Sequence, residues 1–190
     1  MRKNFIPLII ISTLLLALGL AYSQYQSSQR NNETANSLNT PDLAGDRIIN
    51  FSGKGLKTVP ADLLNNNALL ELNLSANAIT SLPSQIQAWV DLEVFNVEKN
   101  RLTSLPAEIR FFTKLTTLDA SGNRLTGLPA EIGQLTNLIE LDLSDNDITE
   151  VPNEILTLLG LESLDIRGNP IKAAHLKSLQ DSLPNTDIQF

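Results

Sequence analysis

Leucine recurs at 69, 92, 115, 138 and 161, a step of 23 residues each time. Asparagine keeps the same step at 77, 100, 123, 146 and 169, and proline at 60, 83, 106, 129 and 152. A fixed period of this size constrains the fold more than any single motif does. Each unit reads L-x-x-L-x-L-x-x-N-x-[IL]-x-x-[LV]-P-x-x-[IL]. One unit is too short to enclose its own apolar face, so successive units must stack and share a core. That core is aliphatic, because 42% of the 190 residues are hydrophobic but only 5% aromatic.

The local chemistry gives strand, turn and short helix in each unit. In "LLELNL" (69–74) Leu72 and Leu74 face inward while Glu71 and Asn73 face outward, the alternation of a strand with one buried face. Asn77 follows at the turn, where its side chain can bond backbone groups the turn leaves unpaired, and repetition makes an internal ladder. The residue before proline is held extended, so no helix starts before the "LP". In "LPAEI" (105–109 and 128–132) proline is expected at the first helical position, with a glutamate near the positive helix end. Ile109 with Phe112, and Ile132 with Leu135, then return to the core at helical spacing. Trp89 and Phe112 share a core column with Leu135 and Leu158, whereas Phe111 is set on the outer face.

The ends depart from the pattern as caps should. Lys54 stands where other coils carry asparagine, and the first coil has no earlier coil to bond. His175 replaces the proline of the last coil, which runs into the amphipathic "AAHLKSLQDSLP" and then "TDIQF". Ile188 and Phe190 are read as a closing strand.

These units, over residues 46–190, resemble the leucine-rich repeat family in its 23-residue LP-x-x-I class, as in Ras-suppressor and Erbin-like proteins. The expected fold is an α/β leucine-rich-repeat solenoid of about six coils, capped at both ends. Parallel strands line its concave face and short helices its convex face. Such concave surfaces are where solenoids bind. The candidate ligand-binding residues are therefore Glu71, Asn73, Asn96, Glu98, Asp119, Glu140, Asp142, Asp145, Asp165 and Arg167. The competing reading makes them soluble filler, since binding hot spots favour Trp, Tyr and Arg and this face has few of these.

No reaction chemistry emerges, and no cofactor is implied. The absence of Cys excludes disulfides, thiolate zinc sites and a cysteine nucleophile. His175, the only histidine, has no motif that would join it to a nucleophile and is read as structural. "SGKGLKT" (52–58) lacks phosphate-loop spacing. Carboxylates abound, but a hydrolase needs one held at a raised pKa by burial, and these are placed on an open face. Two of the three glycosylation sequons, Asn50 and Asn73 but not Asn32, fall on repeat strand positions, so the repeat explains them. The acidic run "LDLSDNDITE" (141–150) fails as a calcium loop. Counted from Asp145, the positions needing Gly and Glu hold Glu150 and Leu156. No metal site is expected.

Charge and the N-terminus bear on partners and location. The net charge of −7 argues against nucleic acid. It is lopsided: residues 46–137 carry 8 basic and 9 acidic groups, residues 138–190 carry 3 and 10. A cationic protein or peptide would be steered to that acidic end. Arg2 and Lys3 precede an uncharged run, Phe5 to Tyr22, of 18 residues. Residues 1–23 are read as either a cleaved signal peptide or an uncleaved single-pass anchor, the only membrane contact expected, and with no Cys a lipoprotein anchor is excluded. The polar stretch 24–45 is read as a flexible tether, before the repeat domain at 46–190. The function expected is a non-enzymatic protein-binding module outside the cytoplasm. The alternative is a structural or adhesive envelope protein using its convex face and tether.

Overall fold

The computed structural model describes Leu43 and residues 45–190. The expected leader at 1–23 and all of the expected tether except Leu43 and Gly45 lie outside the described residues. Among the described residues no helix is long and apolar enough to cross a membrane.

The repeat pattern becomes a parallel sheet in chain order. Its strands are β1 (Ile48–Asn50), β2 (Glu71–Asn73), β3 (Val94–Asn96), β4 (Thr117–Asp119), β5 (Glu140–Asp142), β6 (Ser163–Asp165) and β7 (Asp187–Gln189). Neighbours pair with the sequence period as their register: Leu72 lies opposite Phe95, then Leu118, Leu141 and Leu164 follow. The last step is one residue longer, Leu164 opposite Ile188, because a longer helix intervenes. Six coils and a closing strand result, as the period implies. The middle residue of each strand points into the core, and Leu72, Phe95, Leu118, Leu141 and Leu164 are all buried.

The opposite side is built from short helices, and here the expectation needs correcting. It carries a helical turn α1 (Ala61–Leu64) and four 3-10 segments: η1 (Ser84–Ala88), η2 (Ala107–Phe111), η3 (Ala130–Gln134) and η4 (Asn153–Thr157). Only the last coil has a regular helix, α2 (Ala173–Ser182). The prolines do not enter these helices. Pro83, Pro106, Pro129 and Pro152 are caps with extended ψ of 148–159°. Each proline carbonyl instead accepts the first i→i+3 bond, as from the Ile109 N–H to Pro106 at 3.2 Å. Five residues at the 3-10 rise of about 2.0 Å cover more of the return path than the same five in an α-helix at about 1.5 Å. That extra reach suits a coil closed within 23 residues.

The asparagine ladder forms as expected and binds backward along the stack. Asn123 accepts the N–H of Leu102 at 3.0 Å, and its amide donates to Val97, Ala120 and Ser121 carbonyls at 3.0–3.1 Å. Asn77, Asn100, Asn146 and Asn169 repeat the arrangement. Each such residue satisfies groups in its own coil and the preceding one. Lys54, in the first coil, is exposed. There the work passes to buried Asn66, whose amide donates to the Leu43 and Asp46 carbonyls at 2.6 and 2.8 Å.

The residue before each ladder position, Lys54 included, occupies the left-handed region. Gly53, Gly122 and Gly168 do so at φ 62–71°, but so do Ala76, Lys99 and Asp145 at φ 51–54°. Its N–H reaches forward to the next coil, as from Gly122 to the Ser144 carbonyl at 2.9 Å.

Aromatic residues gather in one place inside the aliphatic core. Trp89 and Phe112 stack at 6.1 Å between ring centroids, and Phe95 meets each edge-on at 5.8 Å. The Trp89 indole N–H donates to the Leu63 carbonyl at 2.8 Å, so no polar atom is stranded. Phe111 is half-buried beneath Arg110, whose guanidinium lies 4.7 Å from the ring centre. At the far end Ile188 is half-buried, but Phe190 lies beyond β7 and is 54% exposed. Only Ile188 serves the closing strand, because its partner position on β6 is the core residue Leu164.

Candidate functional site: the concave sheet

The third residue of each strand does two things at once. Asn50, Asn73, Asn96, Asp119, Asp142 and Asp165 each accept the backbone N–H two residues on, at 2.9–3.1 Å. This side-chain turn ends the strand after three residues. Asn and Asp carry an oxygen at the right reach, and they hold this column from β1 to β6, with Gln189 in its place on the closing strand. Ser121 and Ser144 also donate their hydroxyls to Asp119 and Asp142, at 2.7 Å. The carboxylates of this face are therefore part of the fold as well as of its surface.

Along the sheet the column changes from amide to carboxylate. Asn73 and Asn96 face each other across β2 and β3, then Asp119, Asp142 and Asp165 follow in register. Adjacent strands stand about 4.8 Å apart, so these acids crowd one another. Each is relieved differently. Asn96 donates to Asp119 at 3.2 Å. Burial nevertheless holds the Asp119 carboxyl above the usual range, against the Ser121 bonds that lower it, and Asp142 and Glu98 add to the rise. Asp165 is lowered, chiefly by its hydrogen bonds from Arg167, whose Nε lies 3.0 Å from both carboxylate oxygens. Asp165 is 9% exposed, so the expectation of a freely solvated outward residue is wrong for it. Arg167 covers it.

The other candidate residues divide. Glu140 and Asp142 join Asp119 and Asp165, with Thr117, Ser163 and Gln189, around a shallow groove of about 240 Å³ that also borders Leu118 and Leu141, whose side chains are buried in the core. Glu71 lies at the opposite end, raised by burial and by Glu93. Glu98 is half-buried and pairs with Lys99 at 2.5 Å. Asp145 does not belong to the strand face at all. It sits in the left-handed turn beyond β5, exposed. Thr117, Ser163 and Gln189 line the groove without being among the candidates, and Gln189 is the hardest to find because the closing strand lacks the repeat pattern. Its alignment with Asp165 would have revealed it.

The acidic run of residues 141–150 is dispersed by this geometry. Asp142 lies on the strand, Asp145 in the turn, Asp147 on the stretch after the ladder asparagine, and Glu150 beyond it. Among the described residues no three His, Cys, Asp or Glu side chains converge to hold a metal. His175 is half-buried and uses its Nε2 to accept the Val151 N–H at 3.2 Å, tying the last coil to the one before.

A coil of parallel strand, asparagine ladder and short outer helix, repeated on a 23-residue register, defines a leucine-rich repeat protein. The model of the leucine-rich repeat region matches residues 54–185, and the chain belongs to that family. Among curated proteins none matches it in sequence. Several solved structures are similar. A leucine-rich repeat protein of Leptospira interrogans is 30% identical over 70% of this chain and 40% of its own, with a TM-score of 0.60. The ectodomain of the receptor kinase GASSHO1/SCHENGEN3 from Arabidopsis thaliana, in complex with CASPARIAN STRIP INTEGRITY FACTOR 2, is 42% identical over 60% of this chain and 14% of its own, with a TM-score of 0.56. The plant peptide hormone receptor RGFR1, in complex with RGF2, is 31% identical over 65% and 20%, with a TM-score of 0.57. This chain thus spans less than half the length of each of these three proteins.

Proposed function

We propose that this protein is a non-enzymatic protein- or peptide-binding module displayed outside the cytoplasm, and that it binds through its concave sheet. The observation that carries the reading is the groove over β4–β7, where Asp119, Glu140, Asp142 and Asp165 gather their carboxylates on the outward face of the sheet. A row of carboxylates held by the backbone suits a peptide that brings cationic side chains. The acids would raise the rate of encounter with a basic partner more than they set final affinity. One similar structure is a plant peptide hormone receptor in complex with RGF2 and another is a receptor kinase ectodomain in complex with CASPARIAN STRIP INTEGRITY FACTOR 2, which supports a peptide or protein as the partner. The LP-x-x-I spacing of the second, third and fourth coils, with V-P-x-x-I in the fifth, supports placing the chain in that class within the family. Residues 1–23 direct export, as signal or anchor, and residues 24–45 tether the repeat domain.

One observation favours an adhesive role on the outer side instead. Leu159, in the turn after η4, is 90% exposed, and Val90 at the equivalent place is 44% exposed. A crosslinking pull-down from native cells with the full chain separates the two. Partners captured by the wild type are then measured against D119N/D142N/D165N. Asparagine keeps the oxygen that ends each strand, so the fold persists. A slower, less salt-sensitive association is expected. An unchanged rate with the same salt dependence would remove the acidic groove as the binding site.

A further inference from the structure

The side of the solenoid that follows each ladder asparagine carries a charge pattern of its own. Arg101, Arg124 and Asp147 hold the same place in three successive coils. Their N–H groups stack coil on coil, donating to the carbonyls of Ile79, Leu102 and Leu125 at 2.9 Å. Glu150 follows Asp147 in its coil. All four side chains are exposed, and none makes a hydrogen bond or ion pair among the described residues. Beside them runs a strip of exposed threonines, Thr80, Thr103, Thr126 and Thr149, one per coil. Along this edge two positive coils are followed by a doubly negative one.

Such an edge is complementary to itself. Turned about a twofold axis lying between the Arg124 and Asp147 coils, it sets Arg124 of each copy against Asp147 and Glu150 of the other, with Arg101 within reach of the same acids. The contact uses one patch on both molecules and closes after two. We propose that this edge pairs two copies of the chain as a symmetric dimer, leaving both concave sheets open. Exposed ion pairs are individually weak and screened, so the dimer is salt-sensitive. The proposal does not rest on the concave binding reading.

Sedimentation of the full chain in neutral detergent tests it. In about 25 mM salt the wild type is expected to show concentration-dependent dimers. In about 500 mM, where the screening length falls to about 4 Å, association should weaken at least about tenfold. R101E/R124E and D147R/E150R each make the edge one sign and should each be monomeric, yet form a heterodimer when mixed. K172E, which removes the exposed cation facing the partner's Arg101 coil, should tighten the pair. D119N/D142N/D165N should leave it unchanged. All variants share one N-terminal segment, so differences between them report on the edge. The proposal is overturned by a wild type that stays monomeric at low salt, by a dimer that survives either reversal, or by reversed variants that fail to pair when mixed.

Discussion

At the scale of single residues, two columns decide how well each turn is made. The ladder asparagine is the costlier to lose. Asn123→Ala removes an acceptor for the Leu102 N–H and a donor for the Val97 carbonyl inside a buried turn. Leaving such groups unpaired should cost about 3 kcal/mol in urea unfolding, more than one surface hydrogen bond would suggest. The left-handed column works the other way. Ala76 sits at φ 54° where Gly53 and Gly122 sit without strain. Ala76→Gly should stabilise the fold by about 0.5–1 kcal/mol, the left-handed penalty less the added entropy of glycine. A loss of stability there would show that the strain is not real.

Elements are held by shared burial between coils. Leu118, 2% exposed on β4, packs between the equivalent Phe95 and Leu141, so Leu118→Ala should cost about 2–5 kcal/mol as a cavity opens. Calorimetry that found under half a kilocalorie would contradict the inward register. The outer helices allow a sharper comparison. A Cβ on Gly133 of η3 would lie 2.4 Å from the Glu154 carbonyl oxygen of η4, while one on Gly127 would meet nothing within 4 Å. Gly133→Ala should therefore destabilise by about 2 kcal/mol through backbone displacement, and Gly127→Ala by much less. The Thr157 hydroxyl, which donates to the Gly133 carbonyl at 2.7 Å, depends on that close approach.

For the whole molecule, the stacked aspartates make stability depend on pH in two opposed ways. The Asp119 carboxyl is raised in the fold by burial, so its contribution is greatest below the ordinary value of 3.8 and is lost as pH rises through the folded value. Asp165 is lowered by Arg167, so its contribution is present above 3.8 and is lost as pH falls. D119N should accordingly stabilise the protein at pH 7 but not at pH 3. D165N should destabilise it at pH 7, with the difference shrinking in acid. Urea titrations at both values check the pair, and equal effects at both would refute the assigned causes. Stability in a stack of coils is close to a sum over neighbours, so the effects should be largest in the C-terminal coils.

The sequence by itself determined the architecture. A 23-residue step in Leu, Asn and Pro can be satisfied only by stacking, because a single coil leaves its leucines exposed. It also placed Trp89 and Phe112 in the core and located the asparagine ladder. Three glycines in the column before the ladder asparagine hinted at a left-handed turn, but Lys99 and Asp145 in the same column disguised it. What only the tertiary structure decided was which polar residues are surface and which are scaffold. Asp165 and Asp145 both stand among the candidate binding residues. One is sealed beneath Arg167 against a neighbouring strand, and the other stands exposed in a strained turn. Burial and partner choice depend on what the next coil brings alongside, and a repeat pattern fixes that alignment without stating which side chains will meet across it.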